Sequence, residues 1–376
     1  MSPAESPDFI ALLQAHKGIL YKVANAYCAR REDRGDLIQD MIVELWRAYP
    51  RFDGRASFAT WMHTIAMNVA ISAHRSEGRR IRDALSLDEF GLDLAGADAV
   101  MDAAQPELHE LNRLVQALPG GGSLFVMPAL DARTAIAKLI TLTPANTGTG
   151  LPAIQGDVVV FDVASGRRKL MLDGPTVTAR RTAAVSLLAA QRLAPNTRGP
   201  MLIVGAGVQG VAHLEAFAQG LGVRDFRISS RSHASAQALA QHAQSLGLNG
   251  RVVPDADAAL ADCPLAATCT PAGGVVLSAL PRDDGFISAV GAYTPTMVEL
   301  SAALCQYVAA QGSVLVDTPD AVHEAGDLLQ AGLDVARFDS LGEVIRQDMK
   351  KPAGPVLFKS CGWAGWDLAA ARAALA

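Results

Sequence analysis

The sequence predicts an α/β protein preceded by an all-helical unit, and three observations carry that prediction. Apolar residues recur at helical spacing through most of residues 1–95. β-type runs appear only from Ser123 onward, at Ser123–Met127 and Val158–Asp162. Further along, Met201-Leu-Ile-Val-Gly-Ala-Gly-Val-Gln-Gly210 joins a short apolar run to a glycine-rich turn, and a helical stripe of Val211, Leu214 and Phe217 follows.

Strand, glycine turn and helix in that order give the GxGxxG of Gly205, Gly207 and Gly210 its context. Gly205 permits the tight turn, Gly207 lets backbone approach a pyrophosphate, and Gly210 lets helix and strand pack closely. The helix N-terminus, with Val208 and Gln209, offers unpaired N–H groups and a positive dipole end to phosphates. The implied architecture is a doubly wound, Rossmann-type dinucleotide domain. In Asp225-Phe-Arg-Ile-Ser-Ser-Arg231, no carboxylate stands where a ribose-binding Asp or Glu would end the second strand. Ser229, Ser230 and Arg231 stand there instead. Hydroxyls and a guanidinium suit a 2′-phosphate, so NADPH is expected over NADH.

Composition bounds the rest. A chain of 376 residues, half of them apolar and with a net charge of −5, is expected to hold two or three globular domains without an overall bias toward nucleic acid. No apolar run reaches membrane-spanning length and no basic-then-apolar leader is evident. Cys28, Cys263, Cys269, Cys305 and Cys361 are odd in number and scattered. That pattern points to reduced thiols in a cytoplasm, with neither a disulfide framework nor a metal site.

In chain order, Asp8–Arg30, Asp36–Tyr49 and Ser57–His74 are expected helices, the last two separated by Pro50-Arg-Phe-Asp-Gly54. Trp46 and Trp61 fit the core of such a bundle. Aromatic and basic side chains together, with Arg75, Arg79, Arg80 and Arg82 beyond the third helix, could also stack bases and hold phosphates. Asp36-Leu-Ile-Gln-Asp-Met-Ile-Val-Glu-Leu-Trp46, Tyr49-Pro-Arg-Phe-Asp53 and Phe58-Ala-Thr-Trp-Met-His-Thr-Ile-Ala-Met-Asn68 resemble region two of bacterial sigma factors of the extracytoplasmic-function group. The resemblance implies that Asp36, Gln39, Asp40 and Glu44 face RNA polymerase and that Trp61, Asn68 and Arg75 lie near melted promoter DNA. Pro106-Glu-Leu-His-Glu-Leu-Asn-Arg-Leu-Val-Gln-Ala-Leu-Pro119 is similar to the lead-in of that family's promoter-reading region, but no helix-turn-helix follows.

Asp83–Pro106 has the composition of a linker. From residue 120 a second resemblance runs to the end. Met127-Pro128, Lys138-Leu-Ile-Thr-Leu-Thr-Pro-Ala-Asn146 and Gly150-Leu-Pro-Ala-Ile-Gln-Gly156 resemble the ornithine cyclodeaminase/mu-crystallin family. So do Asp173–Ala184, Gly205–Gly210, Gly326-Asp-Leu328 and Phe358–Asp367. Pro175-Thr-Val-Thr-Ala-Arg-Arg-Thr182 and Phe358-Lys-Ser360 are most similar to the family's Δ1-pyrroline-2-carboxylate reductases. This implies reduction of a cyclic ketimine carboxylate, Δ1-pyrroline-2-carboxylate to proline or the six-membered Δ1-piperideine-2-carboxylate to pipecolate, by a homodimer.

That chemistry needs a cationic clamp, a hydride donor and a proton source. Lys138 and Arg181 are the expected cations for the carboxylate, with Thr178 and Thr182 close to Arg181 on a helix running through Leu188. Thr268 and Thr270 are expected to line the nicotinamide side. Ser360, Gly362 and Asp367 match a block that returns to the site in this family, and a water held by Asp367 or Ser360 is the candidate proton donor. Tyr293 stands where cyclodeaminases carry a catalytic Asp, which argues against ornithine deamination. A further family Arg precedes the glycine block; Arg113, seven residues before Gly120, is its candidate and fits a solvated helix arginine equally well.

The expected organisation is a sigma-like helical domain at 1–95, a junction at 96–119, a substrate and dimerisation domain at 120–193 and 320–376, and the dinucleotide domain at 194–319. The sigma-like region replaces most of the segment with which the family begins. The loss would leave strand edges exposed. Two other outcomes follow from the same sequence: a polymerase- and DNA-binding protein carrying an inactive reductase passenger, or a chain disabled in both halves.

Overall fold

The computed structural model describes residues 7–27, 34–52, 57–70, 109–110, 113–119, 121–146, 149, 151–271 and 273–375. They fall into two compact units, Met1–Glu89 and Phe90–Ala376.

The first unit contains α1 (Pro7–His16), α2 (Gly18–Tyr27), α3 (Arg34–Ala48) and α4 over residues 58–70. The single helix expected over 8–30 is two, because the chain turns at Lys17 before Gly18, a poor helix former. Pro50 terminates the next helix through the 3₁₀ turn Tyr49–Arg51. Phe9, Leu20, Met41, Leu45, Phe58 and Met62 fill the core. Trp61 is half-buried in an aromatic cluster, its ring 5.0 Å from Phe52 and 5.5 Å from Phe58. Trp46, expected in the core, is 42% exposed. Gln39, Asp40 and Asn68 are also exposed, while Glu44 pairs with Arg47 at 2.7 Å. Arg75 and the side chain of Asp36 lie outside the described residues.

The second unit holds two large sheets. An antiparallel meander is formed by β3 (Ser123–Leu130), β4 (Thr134–Leu142), β5 (Ile154–Asp162) and β6 (Arg168–Asp173). On its edge β1 (His109–Glu110) and β2 (Leu114–Ala117) both pair with β3. Residues 109–110 and 114–117 are therefore edge strands of this sheet, where the sequence suggested a junction or a sigma-like lead-in. Alternation along β4 buries Ile136, Lys138 and Ile140 on one face, and leaves Leu139 42% exposed on the other.

Asp173 opens the long helix α5 (Gly174–Leu193) by accepting the Thr176 N–H at 2.8 Å, with Pro175 in the first turn. The chain then enters a seven-stranded parallel sheet. Its strands are β7 (Met201–Val204), β8 (Asp225–Ser229), β9 (Asn249–Val252), β10 (Leu265–Thr268), β12 (Phe286–Ala289), β14 (Ser313–Val316) and β15 (Val356–Lys359). The strand order is β9-β8-β7-β10-β12-β15-β14. A side pair, β11 (Gly273–Leu277) with β13 (Val298–Leu300), flanks it. The direction of winding reverses between β7 and β10, which opens a crevice at the carboxyl ends of the strands. The helix after β7 is α6 (Val208–Leu221), and α7 (His233–Ser245) follows β8.

β15 completes the parallel sheet between β12 and β14, and only α8 (Ala364–Ala373) goes back to pack on β3, β4 and α5. Being wholly buried, β15 carries the continuous apolar run Val-Leu-Phe that fits a central parallel strand.

Candidate active site

The glycine turn has the tight turn and close helix packing read from its sequence. Gly205 has φ +109°, and a Cβ there would lie 2.6 Å from Cys269 O. A Cβ on Gly210 would collide with the Gly205 carbonyl oxygen. Gly207, by contrast, faces open space, with nothing within 4 Å of an added Cβ. It is the N-cap of α6 and has no side-chain cap, so the amides of Val208 and Gln209 are presented to whatever enters. A dinucleotide's pyrophosphate fits this cradle. At the end of β8, Ser230 is half-buried and Arg231 exposed, and Ser232 caps α7 by accepting from Ser235 N at 3.3 Å.

Three charged side chains from distant elements meet beside the crevice. Lys138 of β4 and Arg181 of α5 both donate to Asp367 Oδ1 of α8, Nζ at 3.0 Å and Nε at 3.1 Å. All three are buried. Burial pushes Lys138 down to about 8; Asp367 opposes that shift, while Arg181 and Arg113 add to it. Two atoms of the cluster, Arg181 Nη1 and Asp367 Oδ2, are buried without a hydrogen-bond partner. Thr182, next to Arg181, is buried too.

Arg113 belongs to this neighbourhood. It pairs with Glu324, and its positive field reaches Lys138, Tyr293 and Cys361. It precedes β2 and lies in no helix, so the reading of it as a helix arginine does not hold.

The loops at the crevice are held by buried carboxylates that sequence reading did not single out. Asp317 Oδ2 accepts from Ser360 Oγ, Cys361 N and Gly362 N at 2.7–3.0 Å. Gly362, at φ +92°, brings this loop against the Arg181 guanidinium. The Ser360 hydroxyl thus spends its one proton on Asp317 and keeps its lone pairs as acceptors. Glu299 accepts from Thr268 Oγ1, Thr270 N, Thr270 Oγ1, Gly291 N and Ala292 N at 2.7–3.3 Å. Thr268 is fully buried and spends its hydroxyl on Glu299, so it positions the loop after β10 and does not line the cleft. Thr270, part-buried, is engaged in the same way. Behind Glu299, Asp327 Oδ1 accepts from the Glu299 and Leu300 amides, and its Oδ2 meets Lys359 Nζ at 2.9 Å. Burial alone would lower the Lys359 ammonium; Asp327, Cys361 and Glu299 hold it above its ordinary value.

Among the described residues no His, Cys, Asp and Glu group forms a metal site, and Cys263, Cys269, Cys305 and Cys361 are free and buried. Cys28 lies outside the described residues.

Comparison with known proteins gives two family matches. The model described as "Ornithine cyclodeaminase/mu-crystallin family" matches residues 98–374, and that of sigma-70 region 2 matches residues 12–80. The first begins well before residue 120, where the sequence reading placed its start. Delta(1)-pyrroline-2-carboxylate reductase 2 of Burkholderia ambifaria is 37% identical over 281 residues, 73% of this chain and 87% of that protein. The ketimine reductase mu-crystallin of mouse is 34% identical over 258 residues, covering 67% of this chain and 79% of its own. Among solved structures, Thermococcus litoralis Delta(1)-pyrroline-2-carboxylate reductase in complex with NADH and L-proline superposes with a TM-score of 0.68 at 23% identity. That match covers 74% of this chain and 90% of the other, and is a likeness of fold.

Proposed function

The chain belongs, over residues 98–374, to the ornithine cyclodeaminase/mu-crystallin family, and from that premise we propose that it reduces a cyclic ketimine carboxylate with NADPH. One observation carries the reading. Arg181 Nη1 is a buried cationic donor without a partner, in a cluster with Lys138 and Asp367 beside the crevice where a dinucleotide fits. A buried donor left unsatisfied costs about 1–3 kcal/mol, and a substrate carboxylate would recover that.

Arg181 holds the carboxylate, and Arg113 adds a second charge once Glu324 gives way. Lys138, expected as a carboxylate cation, is better suited to protonate the ring nitrogen. Its value of about 8 keeps it charged at neutral pH yet leaves transfer favourable. Asp367 orients the Lys138 ammonium through the bond at 3.0 Å. The bound nicotinamide supplies the hydride for the imine carbon. Δ1-pyrroline-2-carboxylate is the proposed substrate, with Δ1-piperideine-2-carboxylate as the larger ring. Tyr293 in place of a carboxylate disfavours ornithine deamination.

Ser230 and Arg231 support NADPH over NADH, since a guanidinium and a hydroxyl suit a 2′-phosphate. The proposed assembly is a homodimer built on the uncovered face of the antiparallel sheet, where Leu114 and Leu139 are 55% and 42% exposed in one cross-strand row through Val126. Among the described residues no helix is long and apolar enough to cross a membrane. Free, buried thiols support a cytoplasmic setting. The proposed domain division is a helical domain, a dinucleotide domain around the parallel sheet, and a substrate domain comprising β1–β6, α5 and α8.

The sigma-70 region 2 match favours a second role for the helical unit, contact with RNA polymerase through the exposed stripe of Gln39, Asp40 and Trp46. Pull-down of core polymerase by the full chain, lost in Asp40→Arg, tests that role.

The reductase reading is tested by following NADPH absorbance with Δ1-pyrroline-2-carboxylate, then with NADH and with ornithine. Turnover with the ketimine and none with ornithine is expected. NADPH binding without ketimine turnover would overturn the substrate assignment.

A further inference from the structure

A seam of buried polar groups joins α5, which carries Arg181, to α6, which carries the glycine turn. Gln209 sits in the first turn of α6, and its Nε2 donates to Thr178 O at 3.4 Å. Its backbone oxygen meets His213 Nδ1 at 2.8 Å. His213 Nε2 lies 2.9 Å from Ser186 Oγ, which in turn accepts from Ser288 Oγ at 2.8 Å. A carbonyl only accepts, so Nδ1 carries the imidazole proton and Nε2 takes the Ser186 hydroxyl proton. Every group in the row then has a consistent direction. Ser186, His213 and Ser288 have no exposed surface. A third link lies further down the two helices, where Gln191 Nε2 donates to Gly220 O at 3.1 Å.

The spacing gives the seam its meaning. Gln209 and His213 are one turn apart on α6, and Thr178 and Ser186 are about two turns apart on α5. Arg181 and Thr182 lie between those two anchor points. The Gln209 amide is also among those offered to a pyrophosphate. The helix that offers its amides to phosphates is therefore pinned to α5 at points before and after Arg181.

We propose that Gln209, His213 and Ser186 are positioning residues that transmit dinucleotide binding to Arg181. Phosphates on the glycine turn fix α6, the seam fixes α5, and the carboxylate clamp is set before substrate arrives. This rests on the dinucleotide reading of the site but not on the identity of the substrate.

Hydrogen exchange of the full chain, with and without NADPH, tests it. In the unaltered protein NADPH should slow exchange across residues 201–221 and, by at least threefold, across residues 174–190. In Ser186→Ala, protection of 201–221 should persist while that of 174–190 falls below about 1.5-fold. Gln209→Ala, at a half-buried position, provides the same test if the core variant folds poorly. Equal protection of 174–190 in both variants, even with a lowered Tm, would reduce the seam to ordinary packing and overturn the proposal. So would protection confined to 201–221 in the unaltered chain. If neither NADPH nor NADH protects 201–221, the dinucleotide reading falls and takes the proposal with it. Ketimine turnover, measured separately, reports on the substrate reading alone.

Discussion

Lys138 Nζ and Asp367 Oδ1 stand 3.0 Å apart across 229 residues of chain, both buried. A neutral Lys138 cannot protonate substrate, so kcat/KM should fall as pH rises through about 8. The Asp367 charge raises the Lys138 value, and Asp367→Asn removes that support. The alkaline limb of the pH profile should therefore move to lower pH in the variant. A limb that stays in place would free Lys138 from the proposed proton transfer.

Arg181→Ala should lower kcat/KM at least tenfold, taking about 1.4 kcal/mol as a floor for a charged contact. Lys138→Ala should do the same, mainly through kcat. Steady-state kinetics with Δ1-pyrroline-2-carboxylate decides each case, and unchanged constants would remove that residue from the site.

The glycine turn separates binding from folding. Gly207→Ala adds a methyl into open space, so Tm should hold while dinucleotide Kd rises tenfold or more. Gly210→Ala drives a methyl into the Gly205 carbonyl and should cost about 2–4 kcal/mol of stability. Thermal melts beside nucleotide titrations tell the two apart.

Glu299→Gln keeps the shape but turns an NH2 toward groups that all donate to Glu299. A loss of about 1–3 kcal/mol is expected in denaturant unfolding, with a raised KM for dinucleotide. Loss of stability at an unaltered KM would separate the staple from the cofactor floor.

His213 is held at about 4 by burial, below its ordinary 6.5. Between those values the unfolded chain binds a proton that the folded chain refuses, so stability falls as pH drops from 6.5 toward 4. About 3 kcal/mol rides on this one group. His213→Gln should be less stable at pH 7 but show a shallower acid decline. A decline as steep as in the unaltered protein would assign the acid loss to other groups.

Legibility in the sequence followed locality. The glycine turn is a local pattern, and Gly205 and Gly210 meet the steric limits that their spacing implied. Lys138, Arg181 and Asp367 were readable because each sits in a block resembling the family. Asp317 and Glu299 were not, since their partners are mostly amides of loops brought in by other strands, and Asp327, though inside the Gly326-Asp-Leu328 block, gave no sign of its partners Glu299, Leu300 and Lys359. The partners of Thr268 and Ser360 were hidden for the same reason: a hydroxyl at a strand end says nothing of which carboxylate will claim it. Residues 109–110 and 114–117 did not read as strands because both are short and Leu114 and Val115 are exposed, without the alternation that marks a half-buried strand.

The place of β15 has a consequence for synthesis. An interior strand of the parallel sheet is residues 356–359, so β12 and β14 lack their shared neighbour until residue 359 has been made. The helical unit and the antiparallel meander can form as they leave the ribosome, whereas the parallel sheet stays open along a central seam. For a chain emerging at roughly 5–20 residues per second, the gap between β14 and β15 leaves two unpaired edges waiting for seconds. Until residues 356–359 emerge, β12 keeps an unpaired edge and β14 has no neighbour in the sheet, the kind of exposed edge that a chaperone shields.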